Sequence, residues 1–347
     1  MKNLIGKKIR LNLSFLKTKI FGGGLILIYH RVTNVKPDVQ VLSVSPENFS
    51  EQMKILKDYY NPISLIQLYE ASKKGRVPPK SVVLTFDDGY VDNFTDVKPI
   101  LDYYNIPATI FVTAGLVDNE KEFWWHELEQ IIFSKKKLPA EINIKINNKE
   151  YHWELTISEQ IGTEIDSIDF NWGITDPSPS NSRQRMYSDL STIMDTMKKD
   201  DREFILQTFR ELSGFHPIIR NKFRALSSEE LIELKKGNLV DIGAHTLWHS
   251  PLPFLTKEEQ WNEIKGSKDL LEKIIGKPVR TFAYPYSNEI GFNQNTLDLV
   301  RSAGFQVACA YTPGQVRFRS NPFQFPRLLV RNWGSDIFRE TLKEWAN

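Results

Sequence analysis

The chain of 347 residues is poor in cysteine and in net charge. Its single cysteine, Cys309, excludes an intramolecular disulfide and a metal site built from several thiolates, and its apolar neighbours predict an inert buried thiol. A formal net charge of +2 gives no reason to expect a nucleic-acid partner. The composition, 41% hydrophobic and 25% charged, is typical of a globular protein with one large α/β domain or two ordinary ones.

The N-terminal segment, residues 1–22, lacks acidic residues and an uninterrupted apolar run. Charges interrupt it too often for the roughly 18 apolar residues that cross a bilayer, and no secretory signal is evident. We therefore expect a cytoplasmic protein. Six basic residues lie in this segment: Lys2, Lys7, Lys8, Arg10, Lys17 and Lys19. Two interpretations remain equal: a basic amphipathic helix in peripheral contact with the inner face of the cell membrane through residues 1–20, and a helix packed on the protein itself.

Strands alternate with helices along most of the chain. Apolar strands are predicted at "LILIYH", "VVLTFD", "ATIFVT", "LVDIGAH" and "TFAYPY", and helix starts are marked by Ser45, Ser227 and Thr256. This alternation predicts βα units with parallel strands, and therefore an α/β barrel. We divide the barrel into a first part, residues 23–119, and a second part, residues 225–347.

Residues 120–224, here called the insertion, break this alternation. A helix at "FWWHELEQIIF" is followed by an alternating stretch that predicts a hairpin centred on Asn147 and Asn148, and two polar helices follow at about 183–199 and 201–213. We interpret the insertion as a mixed α/β lid that selects the substrate. Its removal is expected to change the substrate preference and to leave metal binding intact.

The stretch "VVLTFDDGY", residues 82–90, carries two adjacent carboxylates at the end of a strand. A surface turn is the simple interpretation, because Asp-Gly is a common turn dipeptide. A catalytic role for Asp87 and Asp88 requires partners from elsewhere in the chain.

The stretch "HTLWH" offers such partners just after another strand. His245 and His249, four residues apart, can share one face of a helical turn and bind one divalent metal, although this spacing alone is a weak signal. In an α/β barrel the carboxyl ends of the strands converge on one face. Two imidazoles and one carboxylate then form an open metal site, and the second carboxylate is free to take a proton from water.

The stretch "FAYPYS" follows a third strand. Pro285 restricts this turn, so the backbone N–H of Tyr286 is a candidate donor to an oxyanion. A metal, a base and an oxyanion donor together describe the hydrolysis of an amide or ester.

These three stretches resemble the first motifs of the polysaccharide deacetylases (carbohydrate esterase family four, NodB-type). The resemblance covers residues 25–115 and 226–330 and implies a distorted (β/α)7 barrel, here with a long mixed α/β insertion. It implies that Asp87 is the general base and that Tyr286 provides the oxyanion donor. The implied cofactor is a divalent metal, zinc or alternatively cobalt, nickel or manganese. Its implied ligands are Asp88, His245 and His249.

Three features depart from the family pattern. Ala283 stands where the third motif has an arginine, and the fourth motif is not evident. The fifth motif, Leu-x-His, which supplies the general acid, is absent. Arg327 is a candidate replacement for the arginine, with a surface ion pair as the alternative. "IYHRV" is similar to the branch that includes the poly-N-acetylglucosamine deacetylases, which implies that His30 is the acid; the alternative is a core histidine.

The remaining candidates are aromatic or histidine side chains. Trp248 and Tyr284 lie inside motifs and are predicted to bind substrate, whereas other aromatic residues are more typical of a core. The other histidines are predicted to be structural or solvated: His126, His152 and His216.

We therefore expect a metal-dependent N-deacetylase whose partner is an N-acetylated saccharide, a glycan or glycan precursor of the capsule, O-antigen or lipid-linked kind. One alternative keeps the chemistry and changes the substrate, giving a non-sugar amidohydrolase of the same superfamily. The other is a glycan-binding protein without turnover.

Overall fold

A computed structural model of the chain describes residues 23–134, 136–146, 149–161, 172–216 and 218–346. The basic N-terminal segment, residues 1–22, lies outside the described residues, so both interpretations of it stay predictions.

The elements bear out the expected alternation of strands and helices. The strands are β1 Leu25–Tyr29, β2 Arg31–Val32, β3 Ser43–Val44, β4 Asn61–Pro62, β5 Ser81–Phe86, β6 Ala108–Val112, β7 Glu141–Ile146, β8 Lys149–Glu154, β9 Val240–Ala244, β10 Thr281–Ala283, β11 Val307–Ala310, β12 Phe325–Pro326 and β13 Leu328–Leu329. The α-helices are α1 Pro46–Tyr59, α2 Leu65–Lys73, α3 Lys98–Tyr104, α4 Trp124–Ile132, α5 Ile157–Ile161, α6 Ser182–Met194, α7 Lys199–Ser213, α8 Ser228–Lys236, α9 Lys257–Ile275, α10 Asn288–Gly291, α11 Gln294–Ser302 and α12 Ser335–Ala346.

A nearly closed barrel of parallel strands forms the centre of the fold. The strand order is β12-β11-β10-β9-β6-β5-β1-β13, and β4 adds to the start of β5. The two short strands β12 and β13 flank Arg327: β12 pairs with β11, and β13 pairs with β1. If they are counted as one interrupted strand, the ring has seven positions. The predicted distorted (β/α)7 barrel is thus confirmed.

The barrel strands are apolar runs because they are covered on both faces. Every residue of β1 and β5 is buried, as expected for parallel strands between helices. Several helices begin as their sequences predict: Ser45 caps α1, and Ser227 and Thr256 form capping boxes with Glu230 and Glu259.

The insertion has its own apolar cluster, in which Ile142 and Trp153 of the hairpin pack with helix residues such as Tyr187 and Phe209. Strands β7 and β8 pair antiparallel with Ile142 opposite Trp153, so the predicted hairpin is confirmed. Its turn, residues 147 and 148, lies outside the described residues. Among the helices that the structure describes, none combines the length and the hydropathy needed to cross a membrane.

Candidate active site

The carboxyl ends of the barrel strands bring the predicted site residues together. Asp87 and Asp88 follow β5, His245 follows β9, and His30 follows β1. All of these strands are parallel, so their ends meet at one face of the barrel.

Asp88, His245 and His249 form a compact buried cluster. One ligand atom from each lies within 4.8 Å of the others. The Asp88 Oδ1 atom is 3.6 Å from His245 Nε2 and 3.5 Å from His249 Nε2. His245 Nδ1 hydrogen-bonds to the Ala283 carbonyl at 2.9 Å. If the Nδ1–H donates that bond, the lone pair of Nε2 faces the cluster.

The cluster has the properties of a site for a divalent cation. Asp88 Oδ1 is buried without a hydrogen-bond partner in the described part of the chain. Burial, and then the charge of Asp87, raise the pKa of Asp88 well above its usual range, so its ionised form needs a nearby positive charge. Burial lowers the pKa of both histidines, which favours the neutral imidazoles that metals bind. One carboxylate and two imidazoles fit zinc or a similar ion.

The turn at "HTLWH" differs from the expected helical turn. Thr246 and His249 have left-handed backbones, with φ of 63° and 53°, and these reverse the chain so that the imidazole centroids of His245 and His249 lie 5.1 Å apart. The buried Glu263 of α9 holds the turn: its carboxylate accepts from the backbone N–H groups of Leu247 and Trp248, at 2.8 and 3.0 Å. Sequence reasoning missed Glu263, which lies in a helix without a motif.

Asp87 forms a buried ion pair with Arg327. The Arg327 Nη1 and Nη2 atoms donate to Asp87 Oδ1 and Oδ2 at 2.7 and 2.8 Å, and Nη1 also donates to the Thr85 hydroxyl at 3.1 Å. Burial raises the pKa of Asp87, but the Arg327 charge, His245 and the two hydrogen bonds outweigh it and lower the pKa below its usual value. Arg327 is fully buried, so the surface ion pair is excluded.

A family comparison decides the class of the chain. A sequence profile described as "Polysaccharide deacetylase" matches residues 74–140 and 193–308, which together make up more than half of the chain. The chain belongs to the polysaccharide deacetylase family. The predicted resemblance to this family is thereby confirmed, and the branch suggested by "IYHRV" stays a prediction.

Several relatives carry deacetylase names. The chain is 23% identical over 334 residues to the poly-beta-1,6-N-acetyl-D-glucosamine N-deacetylase of Staphylococcus aureus (strain MRSA252), covering 92% of this chain and 82% of that relative. It is 37% identical over 98 residues to the enzyme of the same name from Escherichia coli (strain K12), which is 28% of this chain but only 15% of that relative.

Solved structures share the fold. The Streptococcus pyogenes deacetylase PplD, in complex with acetate, superposes with a TM-score of 0.57 at 18% identity, covering 94% of this chain and 98% of that one. IcaB from Ammonifex degensii gives a TM-score of 0.56 at 17% identity, covering 93% and 97%.

Arg327 and His30, the candidates for two of the three departures from the family pattern, both lie at the site. Arg327 reaches Asp87 from the break between β12 and β13, on the side of the barrel where the strands close. His30 lines the same cleft as Asp87 and the cluster of Asp88, His245 and His249. Burial lowers the pKa of His30 to about 4, while Asp87 acts to raise it and Arg327 to lower it. His30 is therefore neutral at pH 7 before any reaction.

Tyr286 stands beside the cluster in a left-handed conformation, with φ of 62°. Its ring meets the His249 ring edge to face at 4.7 Å between centroids, and its hydroxyl accepts a hydrogen bond from Arg202 Nη2 at 2.8 Å. Arg202 belongs to the insertion, so the insertion contacts the site directly.

The cleft at the site has a volume of about 250 Å³ and is lined by side chains from both the barrel and the insertion. Trp124, Trp125 and Asp195 come from the insertion, and Arg331 follows β13. Sequence reasoning did not assign these residues to the site, because no local pattern marks which insertion residues dock on the strand ends.

The two predicted substrate-binding aromatics differ in position. Tyr284 lines the cleft, although its hydroxyl already donates to the Phe323 carbonyl at 2.9 Å. Trp248 lies instead at a neighbouring cavity of about 60 Å³, where the Lys199 ammonium sits 3.6 Å from the indole centroid. The structure therefore does not bring Trp248 into the cleft, and Lys199 covers its ring.

The other histidines occupy the environments expected of structural or solvated side chains. His126 is buried with its Nε2 atom 2.9 Å from the Tyr90 hydroxyl. His152 is exposed on the hairpin and hydrogen-bonds to Asn143 at 2.7 Å, and His216 is exposed.

Proposed function

We propose that the chain is a metal-dependent N-deacetylase that acts on an N-acetylated amino sugar in a glycan or glycan precursor. The observation that carries the proposal is a low-pKa carboxylate, Asp87, held by a buried arginine directly beside the cation-site cluster of Asp88, His245 and His249. A base next to a Lewis-acid site is what amide hydrolysis requires.

A divalent ion held by Asp88, His245 and His249, with zinc as the best fit, would polarise the acetamide carbonyl and lower the pKa of the attacking water. Asp87 takes the proton from that water as its oxygen bonds to the carbonyl carbon. Arg327 keeps Asp87 ionised and fixes the plane of its carboxylate. The Tyr286 N–H donates to the carbonyl oxygen as negative charge develops there.

The C–N bond then breaks, and the departing nitrogen needs a proton. His30 is the proposed donor, because it lines the cleft with Asp87. A pKa of about 4 means that His30 must first receive a proton, and the proton that Asp87 has removed from water is available in the same cleft. The products are acetate and the free sugar amine.

The substrate class rests on the relatives and the cleft. The relatives from Staphylococcus aureus and Escherichia coli are named for poly-beta-1,6-N-acetyl-D-glucosamine, and we carry N-acetylglucosamine to this chain as the proposed sugar. Trp124, Trp125, Tyr284 and Tyr311 line the cleft, which suits the apolar faces of sugar rings.

Acetate release tests this proposal and separates its alternatives. Zinc-loaded protein is incubated with β-1,6-linked N-acetylglucosamine oligomers and with a non-sugar acetamide, and acetate and new amines are measured. Release from the oligomers alone supports the proposal. Release only from the non-sugar acetamide favours the amidohydrolase alternative. Oligomer binding without release favours the glycan-binding protein. Asp87→Asn is the matched control for contaminating activity.

We also propose that the chain makes peripheral contact with an anionic membrane surface. Two loops, residues 74–80 and 313–321, meet at the amino-terminal end of the barrel, where a Cβ at Gly75 would lie 3.1 Å from the Phe318 ring. Neither loop contains an acidic residue. Lys73, at the end of α2, is exposed beside them and lies 3.8 Å from Glu70. The five cations of the loops are also exposed: Lys74, Arg76, Lys80, Arg317 and Arg319. Gly23, the first described residue, lies beside Gln315 of the second loop, and the sequence before it carries six basic residues.

Vesicle co-sedimentation tests the membrane contact. Each basic residue near an anionic surface contributes about 1 kcal/mol, so phosphatidylglycerol vesicles should retain the protein and phosphatidylcholine vesicles should not. The double variant Arg317→Glu/Arg319→Glu and a chain that starts at Gly22 should each bind less. Equal sedimentation with both vesicle types would contradict this proposal.

A further inference from the structure

Arg202, on helix α7 of the insertion, directs its guanidinium at the candidate active site. It is 2% exposed. Its Nη1 donates to the His249 carbonyl at 3.1 Å, and its Nη2 donates to the Tyr286 hydroxyl at 2.8 Å. The Nε atom donates to the Met194 carbonyl at the end of α6, at 2.9 Å. One side chain thus joins the insertion to a metal-site histidine and to the candidate oxyanion donor.

Both barrel residues that Arg202 contacts are held in an unusual backbone conformation. His249 and Tyr286 have φ of 53° and 62°. Residues with a Cβ rarely adopt left-handed conformations, and they keep them only where surrounding contacts enforce them. Arg202 provides such contacts at both residues, to the backbone carbonyl of His249 and to the side chain of Tyr286.

Further contacts link Arg202, Tyr286 and His249 to one another and to the insertion. Asp195, at the end of α6, shares a side-chain hydrogen bond with Tyr286 and lies within the field of Arg202. The Tyr286 ring packs against the His249 ring, with 4.7 Å between centroids. The guanidinium carbon lies 5.1 Å from the Trp124 ring centroid. A movement of Arg202 would therefore displace His249 in two ways: through the hydrogen bond to the His249 carbonyl, and through the Tyr286 ring that packs on the His249 ring.

We propose that Arg202 is a positioning residue that holds the His249 imidazole in its metal-binding place and Tyr286 in its oxyanion-binding conformation. The insertion is then part of the catalytic apparatus, beyond any part it has in substrate selection. The Tyr286 half of this inference rests on the proposed deacetylase function, whereas the His249 half concerns metal binding alone.

The test uses the full chain loaded with Co²⁺, whose visible absorption reports the geometry of its ligands. Arg202→Met is compared with wild type, Arg202→Lys and Arg210→Met. Arg210 lies on the same helix and donates to Glu127 and Glu203 at 2.5 and 2.9 Å. It therefore controls for loss of an arginine that anchors α7 without contacting His249 or Tyr286.

We expect Arg202→Met to weaken Co²⁺ binding by about 10–100-fold, the usual loss when a residue that supports a metal ligand is removed, and to change the Co²⁺ spectrum. At saturating metal its kcat should fall more than its KM changes. Arg202→Lys should recover part of the loss, and Arg210→Met should match wild type. Wild-type affinity and spectrum in Arg202→Met, or equal changes in Arg210→Met, would overturn the inference.

Misfolding of Arg202→Met and failure of the proposed deacetylase function can each be told apart from failure of this inference. If Arg202→Met does not fold, as judged by thermal unfolding, the folded Arg202→Lys variant carries the same comparison, and a wild-type spectrum and affinity there would overturn the inference. If wild-type protein binds Co²⁺ and Arg202→Met disturbs it, but no acetate is released from any substrate, the metal-positioning inference stands and the deacetylase proposal fails.

Discussion

Arg327 and Asp87 form a two-pronged ion pair at the place where the barrel closes, with N–O distances of 2.7 and 2.8 Å. The arginine stands between β12 and β13, and the aspartate follows β5. The residue that interrupts the closing strand is thus the one that holds the candidate base.

Replacing Arg327 is expected to reduce activity and stability together. Arg327→Met leaves Asp87 buried without its counter-charge, and breaking a buried pair in this way costs about 3–5 kcal/mol of unfolding free energy. Urea denaturation and acetate release measure the two effects. The control is Arg280→Met, because Arg280 is 44% exposed and lies 3.6 Å from Asp241 in a surface pair, where about 0–1 kcal/mol is at stake. Similar losses in the two variants would contradict a special role for Arg327.

His30→Ala tests the proton donor. Because proton donation contributes roughly 10²–10⁴-fold to rate, we expect kcat to fall by about that factor while bound metal and thermal stability stay unchanged. His152→Ala, on the exposed hairpin of the insertion, is the matched control and should retain full activity. Near-complete activity in His30→Ala would reject His30 as the acid.

Arg183 is expected to be essential to the stability of the insertion. It is buried, and its guanidinium donates to five backbone carbonyls, those of Ile132, Ser134, Lys136, Glu159 and Gln160. Arg183→Met removes this donor from all five carbonyls. The Gln160 carbonyl keeps the Leu138 N–H at 2.8 Å, and loss of the donor at the other four costs on the order of 3 kcal/mol or more. Arg185→Met, at an exposed position of the same helix, should change the free energy of unfolding little. A similarly small change in Arg183→Met would show that the carbonyls find other partners.

The raised pKa of Asp195 predicts that the stability of the fold depends on pH. Burial raises its pKa to about 6, against the opposing influence of Arg202 and the Tyr286 hydrogen bond. A raised pKa means that the folded protein binds this proton more tightly than the unfolded chain, so Asp195 lowers stability as pH rises from about 4 to about 6. Asp195→Asn cannot ionise and does not lose stability in this way. The difference in unfolding free energy, Asp195→Asn minus wild type, should therefore be more positive at pH 7 than at pH 4.5. A difference independent of pH would refute the raised pKa.

The sequence was sufficient to place the residues at strand ends, because the alternation of strands and helices determines which residues reach one face of a parallel barrel. Asp87, Asp88 and His245 were found in this way. The turn at His249 was expected to be helical, because a spacing of four gives no sign of the left-handed residues that Glu263 stabilises from a distant helix.

The contacts between the insertion and the site could not be predicted from the sequence. Arg202 and Asp195 lie in ordinary polar helices, and only tertiary docking directs them at His249 and Tyr286. The Trp125 ring also meets the His249 ring at 5.1 Å. Removing residues 120–224 is therefore expected to impair metal binding as well as substrate choice, in contrast to the expectation from the sequence that metal binding would survive.

A metal titration of activity shows whether hydrolysis needs both the bound ion and Asp87. Protein stripped by a chelator is titrated with Zn²⁺, and acetate release from N-acetylglucosamine oligomers is measured beside the metal bound per chain. We expect no release without metal and a rise in proportion to bound metal that ends at about one ion per chain. The Asp87→Asn variant should bind the ion but release no acetate. Full release from the stripped protein, or undiminished release by Asp87→Asn, would contradict the proposed mechanism.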